Sequence, residues 1–182
     1  VGLVILWIGI LSIIFGLAYT AGPFPLAYNG LDDIFVFIFF GIIGTVGTYY
    51  LHLKEFTALS FVTSLPVGAL VTNILIVNNY RDIEEDKKAG KNTLAVLLGR
   101  EFSRYEYIFF ILLSFFVPFL LNIKYDFELW IFLPYTTLPF AIMLIKMLFA
   151  FNGTQLNKTP ELTAKFSALF GFLFSAGIIL GK

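Results

Sequence analysis

Asp82 and Asp86 stand four residues apart in a run that reads Asn78-Asn79-Tyr80-Arg81-Asp82-Ile83-Glu84-Glu85-Asp86-Lys87-Lys88-Ala89-Gly90-Lys91-Asn92-Thr93-Leu94-Ala95-Val96-Leu97-Leu98-Gly99-Arg100. On a helix, residues four apart share one face, with Cβ atoms about 5–6 Å from each other. Asn78 lies one turn earlier on that face, so Asn78, Asp82 and Asp86 form a polar stripe that Glu85 can flank. Two carboxylates at this spacing repel by about a few tenths of a kcal/mol, and a divalent cation between them removes the cost. Carboxylates without His or Cys suit hard ions, Mg²⁺ or Mn²⁺. Mg²⁺ characteristically takes one or two carboxylates and completes its shell with water and phosphate oxygens. Arg81, Lys87 and Lys91 are cations that a bound metal alone does not want nearby. A diphosphate satisfies both halves of the pattern, with metal between carboxylates and phosphate oxygens, and Lys or Arg on the remaining oxygens. Lys88, Arg100, Arg104 and Glu84 read instead as ordinary solvated charges of a loop. A bare D-x-x-x-D is a weak signal; the whole run is a specific one.

The elements that position this stripe are apolar. Of 182 residues, 59% are hydrophobic and 13% charged, with a mean hydropathy of +0.89, against about 25% charged in ordinary soluble domains. The fold class expected is all-α, a polytopic transmembrane helix bundle. Six stretches near 3–20, 34–51, 56–79, 105–123, 129–150 and 164–181 approach the length of about 20 residues that one crossing needs. Continuous apolar runs disfavour a β-barrel, whose strands alternate over about ten residues. With no 20–50-residue repeat and no linker, residues 1–182 read as a single transmembrane domain.

Charge sets orientation and excludes partners. Arg81, Lys87, Lys88, Lys91, Arg100 and Arg104 make the connection between the third and fourth spans the most basic, and hence cytoplasmic. Residues 21–33 and 151–163 share its side, placing Asp32 and Asp33 in a cytoplasmic loop; the turns at 52–55 and 124–128 face outward, His52 among them as a solvated residue. A net charge of zero points to no nucleic-acid partner. The absence of cysteine excludes disulfides and thiolate chemistry. The chain starts at Val1 and is apolar from its first residue, which reads as the later part of a longer protein.

The run from Asn78 to Gly99 resembles the second aspartate-rich motif of the UbiA-type membrane prenyltransferases. Within that superfamily it is most similar to the 1,4-dihydroxy-2-naphthoate polyprenyltransferases of menaquinone synthesis, through its Asn-Asn-x-Arg-Asp opening and Gly-Lys-x-Thr-Leu-Ala-Val ending. Tyr19-Thr20-Ala21-Gly22-Pro23-Phe24-Pro25-Leu26-Ala27-Tyr28 resembles a loop of that family, and Leu156-Asn157 with Leu162-Thr163-Ala164 resembles the approach to its last helix. The family fold has nine membrane helices, of which the six spans here resemble helices four to nine. The family's first polar motif, of N-D-x-x-D type, has no counterpart in the chain. Where members more often carry Gly-Leu-Gly-Glu, this chain has Gly30-Leu31-Asp32-Asp33, which keeps a carboxylate at position 33 and alters the loop.

The resemblance implies a Mg²⁺-dependent enzyme of the cell (inner) membrane, working on a polyprenyl diphosphate and 1,4-dihydroxy-2-naphthoate among membrane lipid. It would lose CO₂ and diphosphate and give demethylmenaquinol. It assigns Asp82 and Asp86 to metal and diphosphate binding, and Asn78, Arg81 and Lys91 to diphosphate contact or carboxylate orientation. Tyr28 is a candidate for touching the aromatic acceptor or a developing cation, and Asn157 a weaker one. With half of the metal site absent, the chain by itself is expected to be inactive. Two alternatives stand beside this reading: another acceptor ring, homogentisate or 4-hydroxybenzoate, and a non-enzymatic ion-binding bundle. The second needs ionisable groups at mid-membrane depth, of which the sequence offers few.

Overall fold

A computed structural model describes residues 2–21 and 25–182; Gly22, Pro23 and Phe24 of the Tyr19–Tyr28 stretch, and Val1, lie outside the described residues. The regular structure of the described residues is all helical, as lipid demands of a chain whose amides must pair within one segment. The helices are α1 (Gly2–Thr20), α2 (Asp32–Val36), α3 (Gly44–Leu53), α4 (Ala58–Arg81), α5 (Ile83–Lys88), α6 (Leu94–Tyr125), α7 (Leu138–Ala150) and α8 (Thr159–Leu180). A π-helical segment, Phe37–Ile43, joins α2 to α3 without a break, and a 3₁₀ segment, Leu129–Thr137, runs into α7. Six stretches are long and apolar enough to cross a membrane: Gly2–Thr20, Asp32–Leu53, Ala58–Arg81, Leu94–Tyr125, Leu129–Ala150 and Gly153–Leu180. The all-α polytopic bundle and its six spans follow the sequence reading.

The ends carry local signals. Thr57 caps α4 reciprocally with Ser60: Ser60 N donates to Thr57 Oγ1 at 3.0 Å and Thr57 N to Ser60 Oγ at 3.3 Å. Lys54 closes α3 and Asp126 closes α6 in the left-handed conformation, at the two turns expected on the outer side. Three boundaries move. The second span begins at Asp32, so Asp32 and Asp33 form its first helical turn rather than a loop. The fourth begins at Leu94 and bends at Gly99, whose φ of 84° no helix contains. The last begins at Gly153, with α8 itself starting at Thr159.

The core lies between α4, α6, the 3₁₀ segment, α7 and α8, where Ile76, Val77, Tyr107, Leu121, Ile131, Leu144, Phe166 and Phe170 are buried. Phe115 meets Tyr135 and Phe170 edge-on at 5.4 and 5.2 Å. Polar side chains join helices where no water can: Asn73 donates to Tyr107 O at 3.3 Å, the Tyr107 hydroxyl shares a bond with Thr163 at 3.1 Å, and Ser167 donates to Leu70 O at 3.1 Å. By contrast, α1 buries no residue among those described.

The π-helical segment crosses α4 at two glycines. A Cβ on Gly41 would sit 2.3 Å from Gly68 Cα, and one on Gly68 would sit 2.9 Å from Phe37 O. Backbones this close leave no room for a methyl group. Gly41→Ala is therefore expected to destabilise the full-length protein by about 1–3 kcal/mol, read as a lower thermal unfolding midpoint in detergent. Gly44→Ala, whose nearest atom is 3.4 Å away, should leave the midpoint nearly unchanged.

Candidate active site

The acidic stripe forms where α4 ends. Asp82 leaves the helix, with φ −96° and ψ 14°, and α5 begins at the next residue. The i to i−4 backbone ladder nonetheless survives the break, through Asp82 N to Asn78 O at 3.0 Å and Asp86 N to Asp82 O at 2.8 Å. Asp82 and Asp86 thus keep their one-turn relation.

Each carboxylate has its own cation. Asp82 is held by Arg81 through Nε to Oδ1 at 2.6 Å and Nη2 to Oδ2 at 2.7 Å, a two-pronged pair that engages both oxygens. Asp86 Oδ2 accepts from Lys91 Nζ at 3.3 Å. The second pair has a local cause. Gly90, at φ 70°, ends α5, with Gly90 N bonded to Lys87 O at 3.3 Å and Lys91 N to Asp86 O at 2.9 Å. This doubly bonded helix end needs a left-handed residue, and glycine supplies it. Lys91 is thereby returned over Asp86.

Asn79, rather than Asn78, carries the network inward. Its Nδ2 donates to Asp32 Oδ2 at 2.7 Å, and its Oδ1 accepts from Lys91 Nζ at 3.5 Å. The chain Asp32–Asn79–Lys91–Asp86 so links the first turn of α2 to the acid-rich segment. Asn78 bonds back to Ile74 O at 2.9 Å within its own helix. The loop before α2 is stitched to the same place: Asn92 N donates to Tyr28 O at 3.1 Å, and Gly30, at φ 69°, packs with its Cβ position 3.3 Å from Asn92 O.

Asp32 and Asp33 are buried at 0% and 3% exposure, and the Oδ1 atom of each lacks a partner among the described residues. Glu106 of α6 lies within Coulombic range of both, as does Lys91. Sequence reasoning set this acid pair aside as loop; its burial is the feature that marks it. The available signal was the carboxylate kept at position 33.

Arg100 and Arg104 are not solvated loop charges, and the expectation is corrected. Tyr80, fully buried, donates to Leu148 O at 3.0 Å, and Arg104 Nε donates to both Tyr80 Oη and Leu148 O at 3.0 Å. Arg100 Nη1 donates to Tyr80 O at 3.1 Å, and its guanidinium lies 5.2 Å from the Tyr80 ring centre. The two arginines clasp α4 to α6 and close the end of α7. Of the remaining candidates, Tyr28 is 42% exposed and backbone-tied beside Lys91. Asn157 is exposed on the turn before α8 and is not joined to the network.

The donor set suits a hard divalent ion in part. It is all oxygen, and Asp82 and Asp86 remain reachable, with side chains 37% and 16% exposed. Among the described residues, however, no three His, Cys, Asp or Glu side chains converge to hold a metal. Asp82 and Asp86 would supply two ligands at most, and water or phosphate oxygens would have to complete the shell.

Six membrane-length helical stretches with a paired acid–base cluster at one end define a polytopic helical membrane protein. The UbiA prenyltransferase family model matches residues 1–175, and the chain belongs to that family. It is 48% identical over 92 residues to a 1,4-dihydroxy-2-naphthoate octaprenyltransferase of Haemophilus influenzae, covering 50% of this chain and 30% of that protein. It is 33% identical to the enzyme of that name from Escherichia coli, over 100% of this chain and 59% of the relative. Against human UbiA prenyltransferase domain-containing protein 1 it is 33% identical, over 89% and 46%. The chain spans between about a third and three fifths of the length of these relatives.

Asn79→Ala removes the donor that satisfies buried Asp32. It is expected to cost the full-length protein about 1–3 kcal/mol, measured as a fall in the thermal unfolding midpoint. Asn78→Ala, whose amide bonds only within its own helix, should cost less than about 1 kcal/mol.

Proposed function

We propose that this chain is the part of a membrane prenyltransferase that grips the diphosphate of a polyprenyl diphosphate and passes its prenyl group to 1,4-dihydroxy-2-naphthoate. The observation that carries the reading is the pairing of each stripe carboxylate, Asp82 and Asp86, with a cation able to hold phosphate oxygens. The names of the bacterial relatives support the choice of acceptor. In this reading residues 1–182 are one domain, helices four to nine of the family fold. The Asp-rich segment faces the cytoplasm of a cell (inner) membrane, by its basic charge.

Asp82 and Asp86 would hold Mg²⁺, which when bound neutralises charge gathering on the departing diphosphate. Arg81 and Lys91 take phosphate oxygens that the metal would leave free, by charge-assisted bonds. Asn78, with its amide oxygen uncommitted by the bond to Ile74, orients the same group. The allylic C–O bond breaks, a C–C bond to the electron-rich ring forms, and the ring carboxylate departs as CO₂. Tyr28 is the better placed of the two acceptor-side candidates, because its carbonyl is fastened to Asn92 next to Lys91; Asn157 is the other.

In the full-length protein, Asp82→Asn or Asp86→Asn should lower prenyl transfer by about 10²-fold or more, with the protein still folded in membrane. Near-normal turnover, measured as prenylated naphthoquinol formed from octaprenyl diphosphate, would sink the assignment. The 182-residue chain alone is expected to show no Mg²⁺-dependent prenylation, and a measurable rate from it would refute the need for a second half-site.

A further inference from the structure

The two stripe carboxylates are occupied before any ligand arrives, and by groups of the wrong charge for a metal to sit beside. Arg81 covers both oxygens of Asp82 at 2.6 and 2.7 Å. Lys91 covers Asp86 at 3.3 Å and is steadied from behind by Asn79 at 3.5 Å, itself fixed to Asp32 at 2.7 Å. A divalent ion arriving alone must compete with Arg81 for both oxygens of Asp82 and with Lys91 for Oδ2 of Asp86. It would take from Arg81 and Lys91 the carboxylates they are hydrogen-bonded to while adding two positive charges near them, in a place where their side chains are only 27% and 23% exposed. An ion arriving with a diphosphate brings replacement acceptors, so each carboxylate can turn to the metal as its cation turns to a phosphate oxygen.

We propose, resting on the diphosphate reading above, that Arg81–Asp82 and Lys91–Asp86 are exchange pairs, which hold the site against free divalent metal and make metal and diphosphate bind together. Arg81 and Lys91 are then positioning residues for the empty site and ligands for the filled one. The two roles pull in opposite directions, and this gives the proposal a signature. Loss of either cation frees a carboxylate for bare metal and removes a phosphate ligand.

The test uses full-length protein in lipid nanodiscs. Mn²⁺ is titrated without diphosphate and followed by the electron paramagnetic resonance signal of the free ion. Inorganic diphosphate is titrated separately at saturating Mg²⁺ by calorimetry. Lys91→Gln should bind Mn²⁺ about three- to tenfold more tightly and diphosphate about tenfold more weakly than wild type. Lys88→Gln removes the same charge from the same segment without breaking an ion pair, and should change each affinity by less than about twofold. Arg81→Gln carries the same signature as Lys91→Gln and serves if the latter does not fold.

Unchanged or weaker Mn²⁺ binding in both Lys91→Gln and Arg81→Gln overturns the exchange. So does a gain no larger than that of Lys88→Gln. Wild type that binds Mg²⁺-diphosphate, shows these opposite shifts in its variants, and yet leaves 1,4-dihydroxy-2-naphthoate unprenylated keeps the exchange and overturns the acceptor instead.

Discussion

A single buried amide decides how the polar end of this bundle is arranged. Asn79 is 3% exposed and offers one donor and one acceptor in opposite directions. The donor meets a carboxylate, Asp32, and the acceptor meets an ammonium, Lys91. A charged residue in its place could satisfy one neighbour only and would repel the other. With the amide there, α2, α4 and the segment after α5 share one network, which joins Asp32 of the second span to Asp86 of α5. Burying a carboxylate at the head of a membrane helix is costly unless it is hydrogen-bonded, so the position of α2 against α4 depends on this contact together with the Gly41–Gly68 crossing.

The spans were legible because lipid imposes a length and a hydropathy that a sequence displays directly. The acid-rich segment was legible for the converse reason, as a dense polar exception among them. What escaped reading is where two elements meet. Asp32 and Asp33 looked like loop because hydropathy falls there, yet they are helical and buried, a fact that depends on Asn79 being 47 residues away in sequence and 2.7 Å away in space. The choice between Asn78 and Asn79 is one of helical phase at a helix end. Period counting is least informative there. Arg100 and Arg104 carried the composition of a solvated basic loop; only Tyr80 and the carbonyl of Leu148, from two other helices, show that they are a clasp. The roles proposed for Asp82, Asp86, Arg81 and Lys91 draw on their pairing in space and on family resemblance together.

The same clasp explains why the acid-rich segment sits steadily at the end of α4. Tyr80 precedes Arg81, and its ring and carbonyl are fixed by two arginines and the end of α7. The backbone is therefore anchored two residues before the break at Asp82. Aromatic and guanidinium groups suit this boundary, since each presents an apolar body to the bundle and a polar edge to its end.

The break at Asp82 is what couples the geometry to chemistry. In a continuous helix adjacent side chains diverge by about a third of a turn and do not face each other. Arg81 and Asp82 would then point apart, and Asp82 would stand free above Asp86 as a ready ligand for any divalent ion. At φ −96° and ψ 14°, Asp82 has left the helix, and its carboxylate lies against the guanidinium of its neighbour, both oxygens engaged. Because the ladder continues through Asp82 O to Asp86 N, the one-turn spacing survives the break. One non-helical residue thus keeps the two carboxylates one turn apart while both oxygens of Asp82 are engaged by Arg81. A ligand able to compete for Arg81 as well as for Asp82 fits that arrangement better than either a bare cation or a bare anion.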